Sequence, residues 1–172
     1  MIGRSRRTRD SEFTEFVEQA GPELLRIAWF LTGDVHRAQD LVQGALLRTY
    51  RAWDRVDQPR ATAYTRTVML NLTREDWRRH GRHVIDADVE AQAEKARVSP
   101  DHAEQIAEQD RLVRGLRELP DGQRAVVVLR YYCDLSEQQC ADELGISVGA
   151  VKSAASRGLG RLRTHMSTQE VH

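Results

Sequence analysis

The chain has 172 residues, of which 40% are hydrophobic, 6% aromatic and 30% charged, enough for one ordinary domain or two small ones with little apolar area to bury in each. Its 26 basic side chains are balanced by 26 acidic ones, so net charge gives no sign of a polyanion partner. No run approaches the roughly 18 consecutive apolar residues of a membrane span, the arginine-bearing start lacks the apolar core of a secretory signal, and Cys133 and Cys140 are too few for a disulfide framework; a cytoplasmic helical protein with reduced core thiols is expected.

Phe13, Phe16, Val17 and Ala20 fall on one helical face, and Gly21-Pro22 predicts a break after them. A second helix is expected from Pro22, carrying Leu24, Leu25, Ile27, Ala28, Phe30 and Leu31 and closing at Gly33. Asp34 then offers an N-cap to a third helix. Its stripe is Ala38, Leu41, Val42, Ala45, Leu46 and Trp53, with Thr49 the polar member and Tyr50 at the edge. After the turn at Asp57-Gln58-Pro59 a fourth helix is expected over about 60–79, burying Ala63, Tyr64, Val68 and Leu72.

The balanced net charge conceals a segregation. Between Arg60 and His83 stand Arg60, Arg66, Arg74, Arg78, Arg79 and Arg82 against Glu75 and Asp76. From Val84 to Asp110 eight acids face only Lys95 and Arg97, whereas from Ser147 to His165 Lys152, Arg157, Arg161 and Arg163 stand without an acid. Two basic blocks flanking an acidic one point to two separate contacts with a polyanion, since phosphate binding follows local charge; solvated helix faces are the plainer alternative. The aperiodic stretch 81–98 is expected to be a linker between a first domain over 1–80 and a second over 99–172.

Ser99-Pro100 is a helix-start signal, followed by a stripe of Ile106, Val113, Leu116 and Leu119. Leu119-Pro120-Asp121-Gly122 ends that helix and opens another. The run VVVLRYY suits a strand by composition, but no partner strand exists in the sequence, so helix is expected. Ser136 with Gln139 forms a capping box, and the helix that follows stops at Gly145. Ser147 can cap the next, longer and basic helix. This is a helix-turn-helix layout: Ala141 allows close approach, Gly145 the turn, and Val151 plugs the angle. The outer face then carries Lys152, Ser153, Ser156 and Arg157, donors suited to base edges and phosphates near a helix N-terminus. Arg161 and Arg163 suit equally a solvated last turn.

With those residues in place, the segment LRELPDGQRAVVVLRYYCDLSEQQCADELGISVGAVKSAASRGLGRLR resembles the promoter-reading fourth region of extracytoplasmic-function sigma factors, members of the sigma-70 superfamily. DVHRAQDLVQGALLRTYRAW resembles their polymerase-binding second region, and ATAYTRTVMLNLTREDWRRH their promoter-melting segment. The wording is most similar to the short actinobacterial SigE-type group. The resemblance implies an all-α chain of a four-helix region 2 lobe and a region 4 helix-turn-helix lobe joined by an acidic linker. It implies that Asp40, Leu41, Gln43 and Leu46 dock on the β′ clamp helices of core RNA polymerase, with the β flap as the other polymerase contact. Asn71 corresponds to an asparagine that takes an unstacked base of the −10 element, with Arg74, Arg78 and Arg79 on phosphates and Trp77 either stacking on DNA or packing in the core. Ser147, Lys152, Ser153, Ser156 and Arg157 match −35 contacts. Gln39, Gly44 and Ala154 depart from the family pattern. An anti-sigma partner is compatible with the resemblance.

The rival is a helix-turn-helix regulator that binds an operator without acting as a polymerase subunit. Enzyme chemistry is not expected: His80, His83 and His102 sit in or near the linker, and the cysteines lack a matching second pair, so no metal or other cofactor is anticipated.

Overall fold

The computed structural model describes residues 6–79 and 103–168; all of the regular elements among them are helical. The N-terminal half holds α1 (Arg6–Thr32), α2 (Val35–Ala52) and α3 (Ala61–Arg79), and the C-terminal half α4 (Ala103–Arg117), α5 (Asp121–Val127), α6 (Glu137–Leu144) and α7 (Val148–Thr168). The linker expected over 81–98 and the start expected at Ser99-Pro100 lie outside the described residues.

The break expected at Gly21-Pro22 does not occur. Helix α1 runs straight through it, so the first lobe has three helices where four were expected. Ala20, Leu24, Ile27 and Leu31 are all buried, one unbroken stripe that outweighs the local signal. Pro22 lies on the exposed side, where the ring and the hydrogen bond it removes from the Glu18 carbonyl face solvent rather than the core. The first turns of α1 are held by aromatic packing: the Phe13 ring stands 5.0 Å from both Tyr50 and Trp53. Arg9 lies over the Tyr50 ring and pairs with Asp54 at 3.2 Å.

Asp34 caps α2 as expected, its Oδ1 accepting from the Arg37 N–H at 2.8 Å. Ala38, Val42, Ala45 and Thr49 are buried. The polar member of that stripe is answered from α3: the hydroxyls of Thr49 and Thr65 lie 3.1 Å apart, each also within reach of a carbonyl one turn back, so neither is orphaned in the core.

On α3 the buried face is turned by about one residue from the expected one. Ala61, Thr65, Met69, Leu70, Thr73 and Trp77 are buried, whereas Ala63 and Tyr64 are exposed and Val68 and Leu72 half-buried. Thr65 and Thr73 read as polar in sequence, yet each hydroxyl donates to the carbonyl four residues back, at 2.8 and 2.9 Å, which makes a threonine nearly apolar toward its neighbours.

In the second half the VVVLRYY run is helical. Helix α5 passes into a π-helical turn over Val128–Tyr132, with the Cys133 N–H donating to the Val128 carbonyl at 3.0 Å. Residues 122–129 are buried without exception because α5 is covered on two sides, by α1 and by α7. A Cβ on Gly158 of α7 would lie 2.7 Å from Val127 Cγ2, so only glycine lets the two helices approach this closely. One apolar cluster spans both halves, with Phe30 and Leu31 of α1 in the same core as Val126 and Leu129.

Candidate nucleic-acid interface

The turn between α6 and α7 is built as its sequence dictates. Ser136 Oγ accepts from the Gln139 N–H at 3.1 Å, and the Gln139 side chain returns to the Ser136 N–H at 2.8 Å, completing the capping box. Helix α6 ends on Gly145 in the left-handed region, φ +65° and ψ +40°, where the Ile146 N–H reaches back to the Ala141 carbonyl at 3.1 Å. Ser147 Oγ accepts from the Ala150 N–H at 3.1 Å and starts α7. Val151, fully buried, fills the angle between the helices, with Ala141 and Leu144 buried opposite.

Seating Val151, Ala154 and Ala155 inward turns Lys152, Ser153, Ser156 and Arg157 outward together, and all four are exposed, as is Ser147. The face is polar, cationic and free of acids along α7; Glu137 of α6 lies 3.6 Å from Lys152 Nζ in a solvent-exposed pair of the weak kind. Ala154 is buried with Val151 and Ala155 and is not part of this face.

On α3, Asn71, Arg78 and Arg79 are exposed and Arg74 is half-buried. Of the acids between them, Asp76 pairs with Arg37 of α2 at 3.1 Å, and Glu75 is shared between Arg48 of α2 at 3.6 Å and Arg79 at 4.0 Å, so arginines outnumber acids along this end of α3. Trp77 is a correction to the DNA-contact reading. It is 3% exposed, held in the core at a cleft of about 270 Å³ that also touches Leu31, Leu41, Leu72 and Arg124, and offers no ring to a base. Tyr64, expected in the core, is instead 40% exposed and lies seven residues, two turns, before Asn71 on the same side of α3. Phasing α3 on its threonines would have found it.

On α2, Asp40 and Gln43 are exposed and Leu41 and Leu46 half-buried against the core, the two polar residues on the outward side and the two leucines on opposite flanks of the buried stripe. Leu47, 52% exposed, stands on the same outward side as Asp40 and Gln43. Gln39 is exposed, while Gly44 packs against Leu72 of α3. Arg66 and Glu143, which no sequence motif singled out, meet across the two halves at 3.1 Å; no local spacing could have revealed that pair. Cys133 and Cys140 are free thiols, one half-buried and one buried, and burial pushes both up to about 11. Among the described residues no group of His, Cys, Asp or Glu is placed to hold a metal ion, and no helix is long and apolar enough to cross a membrane.

Comparison with known proteins decides what the two faces belong to. Residues 16–83 match the family model of sigma-70 region 2, and residues 109–162 that of sigma-70 region 4. The chain is 41% identical over 161 residues to the RNA polymerase sigma-E factor of Streptomyces avermitilis, covering 93% of this chain and 88% of that one. It belongs to the extracytoplasmic-function sigma factors. The sigma-E factor of Streptomyces coelicolor is 39% identical over the same span length, covering 89% of its chain. Among solved structures, the Bartonella quintana sigma factor RpoE, crystallised with the anti-sigma factor NepR, superposes with a TM-score of 0.70 at 26% identity, covering 90% of this chain and 96% of the other. This sigma factor therefore acts in transcription initiation, binding core RNA polymerase and promoter DNA, and the operator-binding regulator is set aside.

Proposed function

We propose that the outward faces of α2, α3 and α7 divide the work of a sigma factor among them. Asp40, Leu41, Gln43 and Leu46 of α2 seat the chain on the β′ clamp helices, and the second half rests on the β flap. On α3, Asn71 pairs with an extruded base of the −10 element, Arg74, Arg78 and Arg79 hold phosphates, and the exposed Tyr64 ring supplies the stacking surface that buried Trp77 does not. On α7, Ser147, Lys152, Ser153, Ser156 and Arg157 read the −35 element in the duplex. The domains run over 1–80 and 99–172, with 81–98 between them, and the protein works in the cytoplasm without bond chemistry of its own. By likeness to the Bartonella factor, an anti-sigma protein is a partner.

The observation that carries this reading is the shared outward side of Lys152, Ser153, Ser156 and Arg157 on a helix whose opposite side, Val151, Ala154 and Ala155, is buried. Neither lobe offers more than a few phosphate contacts, so each alone binds DNA weakly and core polymerase couples them through effective concentration. A pull-down on core polymerase tests the docking assignment: Leu41→Ala with Gln43→Ala loses core binding, while Lys152→Ala with Arg157→Ala keeps it and loses promoter retention. Equal core binding by the α2 variant and wild type would overturn it.

A further inference from the structure

The corner between α2 and α3, residues 53–60, has almost no interior of its own. Trp53 is buried and Val56 half-buried, whereas Asp54, Arg55, Asp57, Gln58, Pro59 and Arg60 are all exposed. What holds it is the start of α1. Arg9 Nη2 donates to the Tyr50 carbonyl, among the last of α2 and also reached by the Trp53 N–H, and Arg9 Nη1 pairs with Asp54 at 3.2 Å. The guanidinium thus brings a cation and a donor to a helix C-terminus, where both are favourable, and ties that end to the first 3-10 turn of the corner (Trp53–Arg55). One turn farther along α1, Glu12 accepts from Gln58 Nε2 at 3.1 Å, in the second 3-10 turn (Gln58–Arg60), and Phe13 stands edge-on to the buried Trp53 ring at 5.0 Å. Both turns of the corner are therefore tethered to α1.

The corner sets where α3 begins. Ala61 follows Arg60 directly, and Tyr64 and Asn71, the ring and the amide assigned to the extruded base, lie farther along the outward side of that helix. A base that must also order the groups receiving it binds more weakly than one that finds them in place, so a loosely held corner weakens base capture without removing any contact. Arg9 is poorly placed to touch DNA itself: its side chain is 23% exposed and both terminal nitrogens are engaged within the protein. We propose that Arg9, with Glu12 as a second tether, is a positioning residue for −10 reading, fixing the corner so that α3 presents Tyr64 and Asn71 ready for an extruded base. The proposal rests on the assignment of α3 to the −10 element above. The docking residues of α2, from Asp40 to Leu46, precede the end that Arg9 caps, so binding to core polymerase is independent of it.

The test measures discrimination by the reconstituted holoenzyme: the ratio of its affinities for a fluorescent single-stranded oligonucleotide carrying the non-template −10 element and for the same strand with that element scrambled. Arg9→Ala lowers the ratio roughly tenfold, the equilibrium equivalent of one charge-assisted hydrogen bond, with core binding unchanged. Glu12→Ala lowers it by less and keeps the test decisive if Arg9→Ala folds poorly. Arg9→Lys, which keeps the charge and the Asp54 pair but not the planar fork, recovers part of the ratio. Ile27→Val, which trims the buried core of the same helix away from the corner, lowers Tm without changing the ratio and so separates positioning from stability. Arg9→Ala and Glu12→Ala both as discriminating as wild type, or Ile27→Val losing as much as Arg9→Ala, overturns the proposal. Asn71→Ala in the same assay keeps two failures apart. If it too leaves the ratio unchanged, the −10 assignment of α3 falls and the positioning role with it; a ratio lost with Asn71→Ala but kept with Arg9→Ala strikes the positioning role alone.

Discussion

Replacing Gly145 separates two reasons for a glycine at the helix-turn-helix corner. Gly145 sits at φ +65° and ψ +40°, where a Cβ meets the following carbonyl and costs about 1–2 kcal/mol. The same Cβ would lie 2.9 Å from the Arg74 guanidinium, but that group ends a long side chain and can withdraw at little cost. The backbone term therefore dominates. Gly145→Ala should lose about 1–2 kcal/mol, a drop of roughly 2–8 °C in Tm for a chain of this size, while Gly145→Asn, whose side chain tolerates the left-handed region, should lose less than half of that. Thermal unfolding by circular dichroism reads both, and Gly145→Ala repeated in an Arg74→Ala background completes a double-mutant cycle. The same loss in both backgrounds is expected. A loss that vanishes without Arg74, or Asn as damaging as Ala, would refute the assignment to backbone strain.

Ser136→Ala removes one half of the capping box and should cost about 1 kcal/mol, seen as a lower denaturation midpoint with unchanged slope. Cys133 and Cys140, raised from 9.0 to about 11 by burial, ionise sooner in the unfolded chain. Stability should thus fall as pH rises from about 9 to about 11, and Cys140→Ala should flatten that decline; a profile level across the window would count against burial of the thiols. Lys152→Ala with Arg157→Ala should reduce the slope of log affinity against log salt by about 2 for promoter binding by the holoenzyme, one counterion for each phosphate contact, and an unchanged slope would place both residues off the DNA.

The helix-turn-helix was legible in the sequence because its determinants are local. Ser136 and Gln139 bond within one turn, Gly145 is demanded by its own dihedral angles, and Val151 follows from period. The outward position of Lys152, Ser153, Ser156 and Arg157 then comes with the burial of Val151. What failed depended on surroundings. Pro22 signals a break only if the stripe on either side can shift, and Ala20, Leu24 and Ile27 hold it in register. Thr65 and Thr73 pass as polar until their hydroxyls are seen bonded to their own helix, which turned the expected face of α3, hid Tyr64 and left Trp77 in doubt. The contact of Arg66 with Glu143 joins positions 77 residues apart, and no pattern in either segment announces it.

The central claim, that two separate cationic faces of one chain read two promoter elements when mounted on polymerase, is tested most directly by run-off transcription with purified core enzyme on three templates: an intact cognate promoter, one with only its −35 element scrambled, and one with only its −10 element scrambled. The account predicts that transcripts require the protein, that Lys152→Ala with Arg157→Ala initiates on the intact template no better than wild type does without a −35 element, and that Asn71→Ala does the same for the −10. Should the α7 variant keep full sensitivity to the −35 sequence, or the polymerase start equally well without the protein, the two-face account would be contradicted.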